Sequence, residues 1–368
     1  MKRLLTISAC LLVAAAAAAA QPLFGEIEYV EGDVTLSRGG KSQGDLNIGD
    51  EVLVDDFIKT GSDGVAVIAL NRTTGMRGTL SVKSRSAVYV RMSQDSSGSK
   101  TTLELVAGQI GSKVAKLSGS PTLQVKTDTA VMGVRGTEFG VSTSVSGNVV
   151  IFCTEGSVEA TDGESTVQVP MGKAVEKRPA ERLRLLPVAV SSPDEFAKRW
   201  IADEIEAFRA NPARVVAFYE KRYADLSVRF TSALDDLQRK AALRKWIEED
   251  KAGTRVNPRS ADTLREKKEL VQSFLELRKI LFLFERIYYR LDEAADLVSG
   301  TSGERAEIRP GLSVGAFLRQ FREERERLAK MMAFFRYAER LYALRNEGGA
   351  GFPGLGGDDD DFFGSSDF

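Results

Sequence analysis

Arg135 ends an apolar run, Val131-Met132-Gly133-Val134-Arg135-Gly136-Thr137-Glu138-Phe139. A guanidinium held there could grip a carboxylate or phosphate through two parallel N–H bonds. The same residue has a structural use. Arg135 can bond loop carbonyls or pair with Glu138 or Asp128, while Gly136 supplies a special φ and Phe139 fills the core. Catalysis has little else to draw on. The chain contains no histidine, so no Ser-His-Asp or Cys-His pair forms and no histidine-ligated zinc or iron centre can be built. Oxygen-only metal sites and hydrolysis by paired carboxylates stay formally open, yet no spacing brings two acidic residues to one pocket. Neither a Walker loop nor a dinucleotide glycine fingerprint is present. The expectation is a protein without catalytic residues, metal ligands or cofactor.

The residues ahead of the fold fix a place for it. Lys2-Arg3, the apolar run Leu4 to Val13 and the small residues Ala14 to Ala20 form the three parts of a secretory leader, with cleavage before Gln21. No later segment is apolar enough to span a membrane, so a periplasmic or otherwise extracytoplasmic location is expected. Ile7-Ser8-Ala9-Cys10 resembles a short lipobox, but the apolar run continues past Cys10. With Cys10 gone, Cys153 has no partner for an intramolecular disulfide, and its strand-like surroundings suit a packed thiol. The 51 Lys+Arg and 52 Asp+Glu nearly cancel, so no global field favours nucleic acid or an anionic membrane.

From Gly25 to about Val190 the hydrophobic period is two. Val65 to Leu70, Leu80-Ser81-Val82, Ala87 to Val90, Leu103 to Val106 and Leu123-Gln124-Val125 each alternate or run apolar over strand length. Glycine turns separate them. Many short strands predict an all-β unit, either a sandwich or a short β-solenoid.

Several turns in this half are distinctive: Leu46-Asn47-Ile48-Gly49-Asp50, Ile58-Lys59-Thr60-Gly61-Ser62-Asp63-Gly64, the Arg135-Gly136-Thr137-Glu138-Phe139 corner and Glu155-Gly156-Ser157-Val158. Their succession over Gly25 to Val175 resembles the FecR domain of bacterial envelope proteins. One departure stands out, since the Thr-Pro pair usual before the corner is Thr127-Asp128 here. The resemblance implies an extracytoplasmic interaction module, with Arg135, Gly136, Thr137, Phe139 and Gly156 as motif residues of structural use. It also implies, as an alternative, regulation of iron-transport signalling. That role normally comes with a cytoplasmic portion and a spanning helix, where this chain has a leader.

Glu181 to Val190 reads as a linker, after which the period becomes helical. Ser192-Pro193-Asp194-Glu195 is a capping box with proline at the first helical position. Asn211-Pro212 starts a second helix running through Trp246, and Gly253 to Pro258 breaks the pattern. Ser260 and Ser313 cap two more helices, separated by a loop from Ser299 to Gly311. Ile280 to Phe284 is apolar on nearly every side, which places it at a bundle centre. Short connections predict antiparallel packing. Beyond Gly348 comes a Gly-rich stretch, then Asp358 to Asp361 and Phe362-Phe363, ending at Phe368. This composition reads as disordered, with Phe362, Phe363 and Phe368 as docking anchors or the whole as a solubilising tail.

The predicted organisation is a leader over residues 1–20, a β domain with linker over 21–190, a helical bundle over 191–347 and a tail over 348–368. The fold class is α+β in two domains. The expected work is protein–protein interaction or sensing with an envelope partner, without nucleic acid. The alternative is a cell-wall or carbohydrate-binding module.

Overall fold

Period-two alternation in the first half resolves into two stacked sheets of nine strands each. The computed structural model describes residues 21–95, 98–116, 122–134, 136–188 and 193–346. The leader with Cys10, the cap residue Ser192, Arg135, and the tail residues Phe362, Phe363 and Phe368 lie outside the described residues. In spatial order the first sheet comprises Arg184–Pro187, Lys173–Lys177, Val149–Glu155, Glu138–Thr143, Gln109–Lys116, Met76–Val82, Val65–Leu70, Leu23–Glu31 and Glu51–Leu53. The second comprises Thr166–Pro170, Ser157–Thr161, Val131–Val134, Thr122–Lys126, Gly98–Ala107, Ala87–Asp95, Phe57–Thr60, Val34–Arg38 and Lys41–Asp45. Pairing is antiparallel except between Thr122–Lys126 and Gly98–Ala107.

Spatial order nearly follows chain order in both sheets. The chain therefore advances along the stack while crossing between its layers. Both architectures weighed from the sequence are partly present: two layers as in a sandwich, stepwise advance as in a solenoid. The inner faces share one core, including Phe24, Ile68, Leu80, Leu105, Phe139 and Ile151. Removing each such side chain from water contributes about 1.5–3 kcal/mol.

The strand Val149–Glu155 is apolar at five successive positions because both its faces are covered. Val149, Ile151 and Cys153 join the core between the sheets. Val150 and Phe152 point the other way, onto Ala197 and Trp200 of helix α1 (Pro193–Ala210). The segment expected as a linker instead contributes the edge strand Arg184–Pro187, paired with Lys173–Lys177. Most of its side chains are exposed, so it lacks the alternation by which a strand announces itself.

Four further helices follow: α2 (Pro212–Arg239), α3 (Ala241–Lys251), α4 (Ala261–Val298) and α5 (Val314–Ala343). The side chains of Asn211, Ser260 and Ser313 accept from backbone N–H groups of their first turns and so cap α2, α4 and α5. The single run expected through Trp246 is broken at Lys240, whose backbone is extended (φ −62, ψ 128). Leu237 and Leu243 are six residues apart, which leaves them on different faces of a continuous helix. The break brings both into one core. Tyr219 of α2 lies beside Arg290 of α4, and Phe230 stacks on Phe284 farther back along α4, so α2 and α4 are antiparallel. Arg278 with Glu339 and Asp296 with Arg322 give the same sense for α4 and α5. The loop expected between them carries a small hairpin, Glu307–Arg309 with Leu312–Ser313. No described helix is long and apolar enough to cross a membrane.

Candidate interaction site at the sheet–helix seam

The motif residues form a corner inside the β unit. Gly136 takes φ +67 and Gly156 φ +81, both in the left-handed region that favours glycine. A Cβ on Gly156 would stand 2.6 Å from Thr137 Cγ2, so the two turns interlock. Thr137 is buried, its carbonyl accepts from Val114 N–H at 3.0 Å, and Phe139 fills the core between the sheets. Both carboxylates proposed as partners for Arg135 have other cations beside them. Glu138 is bridged by Lys113 at 2.8 Å on the exposed side, and Asp128 by Arg290.

That second pair opens onto the main feature of the molecule. Strands Ala87–Asp95, Gly98–Ala107 and Thr122–Lys126 turn Val88, Val90, Leu103, Leu105, Leu123 and Val125 inward. By the same alternation Tyr89, Arg91, Glu104, Val106 and Lys126 project outward, onto α4 and α5. Asp128 follows in the next turn, where Thr127 Oγ accepts from Ala130 N–H at 3.0 Å. Its carboxylate receives a fork from Arg290 of α4, at 2.5 Å and 2.9 Å. The position at which this chain departs from the usual proline is thus the one that grips the helices.

A second cluster lies along the same seam. Tyr89 O–H donates to Glu285 at 2.8 Å and its oxygen accepts from Arg336 Nε at 3.0 Å. Arg336 also donates to Glu285 at 2.7 Å and Glu339 at 2.8 Å. Arg91 bonds Asp55 at 3.0 Å, and its Nε lies 2.8 Å from Glu104 as an ion contact whose N–H is not aimed at the oxygen. Burial opposes ionisation of Glu104, but the surrounding Arg91, Arg278, Arg286 and Arg336 prevail and hold its carboxyl down to about 2. Asp128 is likewise penalised by burial and brought below its ordinary value by Arg290.

Four more contacts fix the helices on the β unit. Val145, in the turn after Glu138–Thr143, enters the helical core. Next to it Asn148 donates to Glu204 of α1 at 2.7 Å. On the outer face of the first sheet, Trp200 Nε1 donates to Glu176 at 2.9 Å. The hairpin tip at Gly40 runs so close to α5 that a Cβ there would come within 2.0 Å of the Ala333 carbonyl. Helices therefore grip the sandwich on the outer faces of both sheets.

Ile280 to Phe284, expected at a bundle centre, is apolar all round for a different reason. Ile280, Leu281 and Phe284 face the helical core, whereas the Phe282 ring lies under Lys126 of the sheet. Sequence reasoning did not find the buried arginines of α4. Their signal was present: Arg278, Phe282, Arg286 and Arg290 recur every four residues, one face of a helix otherwise apolar.

The seam presents ion pairs, hydrogen bonds and ring contacts. Among the described residues no three Asp, Glu or Cys side chains gather to hold a metal. An open groove between α2 and α4 is lined by Arg229, Asp236, Arg239, Lys240 and Glu276, and Arg239 pairs with Asp236 there.

Comparison with known proteins bears on the β unit. Residues 56–159 match the model of the FecR protein family. The match spans less than half of the chain and is narrower than the Gly25 to Val175 read from the turns. It contains the corner, Tyr89, Glu104 and Asp128, while helices α1 to α5 lie outside it. The seam therefore joins the FecR segment to residues the family model does not cover. No curated protein matches the chain. Two crystal structures of a proposed anti-sigma factor from Parabacteroides distasonis ATCC 8503, at 1.65 and 2.50 Å, are similar to it at 13% and 14% identity. They cover 38% and 37% of this chain, with TM-scores of 0.32 and 0.25. The aligned part spans 63% and 57% of those chains, less than two thirds of either. At such TM-scores the likeness carries no argument.

Proposed function

We propose that this protein is an exported, non-enzymatic interaction or sensing module of the cell envelope, in which a FecR-type β unit and a helical unit act as one body. The observation that carries the reading is the seam. A FecR segment, matched on sequence, buries a charged outer face under helices of its own chain. The corner built by Gly136, Thr137, Phe139 and Gly156, with Arg135 beside it, serves as scaffold in this reading. Phe362, Phe363 and Phe368 serve as docking anchors.

Sugar binding draws less support. Stacking on a saccharide needs exposed rings; Tyr29 is one, but Phe57 and Tyr89 are packed against Tyr289 while Phe139 and Phe152 lie in cores. The iron-signalling relay rests on the family resemblance alone. Export is tested by mass spectrometry of the periplasmic fraction, which should find an N-terminus at Gln21. Recovery of the intact leader from the cytosol would refute export. In-cell cross-linking with and without residues 348–368 tests the interaction reading. The full chain should capture an envelope protein that the shortened chain releases, and identical capture by both would remove the tail anchors from it.

A further inference from the structure

The groove between α2 and α4 measures about 680 Å³, and it lies close to where the described chain runs out. Ser273 of α4 lines it, and the neighbouring Phe274 touches Tyr342 in the last turn of α5, ring centres 5.2 Å apart. Beyond that turn Arg345 donates to Glu249 of α3 at 2.7 Å. Helix α3 begins directly after the groove residue Lys240, and Glu249 is only about 14 Å along it. Residues 347–357 reach about 36 Å when extended. The segment that follows them, Asp358-Asp359-Asp360-Asp361-Phe362-Phe363, is thus within range of the whole groove.

Segment and groove are complementary in charge. Residues 347–368 carry six acidic side chains and no Lys or Arg. From Pro212 to Lys240 the chain carries six basic residues against four acidic ones. Arg229, Arg239 and Lys240 line the groove, together with Asp236 and Glu276. Arg229 pairs with Asp225 at 3.2 Å and Arg239 with Asp236. Both are exposed pairs within one helix, which add little and are readily exchanged for another carboxylate. The order of residues matches as well. Val228, 68% exposed, stands at the other end of the groove from Lys240. Twelve residues of helix separate the two, about 18 Å, and six extended residues cover about 20 Å. A segment entering from the α3 end meets Lys240 and Arg239 first and Val228 last. It carries its aspartates and then its phenylalanines in that same order.

We propose that the groove between α2 and α4 receives residues 358–363 of its own chain, with the aspartates beside Arg239 and Lys240 and the Phe362-Phe363 pair over Val228. The proposal rests on the reading of the tail as a docking element and adds the seat it occupies before a partner arrives. An envelope protein that takes the same phenylalanines must then displace them from α2. Attachment within one chain needs only weak contacts, because the short connection keeps the local concentration of the segment high.

The test uses the purified full chain with Phe362 replaced by the photo-cross-linker p-benzoylphenylalanine. After irradiation, mass spectrometry of the monomer should join position 362 to the peptide of α2 that contains Val228. Val228→Glu combined with Lys240→Glu should cut that yield about fivefold or more, because like charges now face the aspartates. Both positions lie at the surface, so Tm should stay within about 2 °C of the parent. Cross-links to another face of the chain, cross-links only between two chains, or an undiminished yield in the double variant would overturn the proposal. Capture of an envelope protein through the tail in cells, without the internal cross-link in the purified chain, would overturn the groove and leave the interaction reading standing. The internal cross-link without capture in cells would support the groove and count against that reading.

Discussion

At the scale of single residues, Asp128 has the largest consequence. Its side chain is 10% exposed and its partner Arg290 6%, so removing one charge strands the other in a dry place. Asp128→Asn should cost about 3–5 kcal/mol in urea denaturation. Replacing both partners, as Asp128→Leu with Arg290→Met, should cost less than the single change, because no charge is left stranded. A loss under about 0.5 kcal/mol for Asp128→Asn, the range of an ordinary surface change, would show that the pair does not hold the seam. Glu104 sets a pH dependence. Its folded value, about 2, lies below the ordinary 4.5. Its contribution is therefore complete above about 4.5 and lost as pH falls toward 2. Melting of Glu104→Gln should depend less steeply on pH across that window than melting of the native protein. Parallel curves would contradict this. The Asp at position 128 was visible in the sequence as a departure from a family pattern. Its partner, 162 residues away, was not, because no local period links a β-turn to the middle of a distant helix.

At the scale of elements, what could be read depended on how many faces were buried. Strands with one core face show alternation: Val65–Leu70 falls where the pattern put it, and Leu80-Ser81-Val82 is the end of the longer strand Met76–Val82. Caps are local chemistry, so Asn211, Ser260 and Ser313 were legible as helix starts. Edge strand Arg184–Pro187 and the break at Lys240 were not, since one has no buried face and the other depends on where Leu243 and Trp246 must point. Helix α1 is attached by packing on Phe152, by an indole bond to Glu176 and by the Asn148 bond to Glu204. Trp200→Phe keeps an aromatic ring there and removes the bond, which a charged acceptor makes worth about 1.5–3 kcal/mol. Amides of α1 should then exchange with solvent faster, while those of Met76–Val82 remain as slow as before. Unchanged exchange in α1 would show that the indole bond does not secure it.

At the scale of the whole molecule, the sequence pointed to two cores, and the structure has them, one between the sheets and one among the helices. What periodicity could not convey is that the cores are joined by buried ion pairs and by a β-turn inserted into the helices. Such a seam makes the folding of each half depend on the other. Hydrogen exchange followed by mass spectrometry, on the full chain and on Asp128→Asn, tests this most directly. The expected result is one opening free energy for the slowest amides of strand Val149–Glu155 and of α4, lowered equally in both by the substitution. Faster exchange confined to α4, with the strand untouched, would mean that the two halves are merely neighbours.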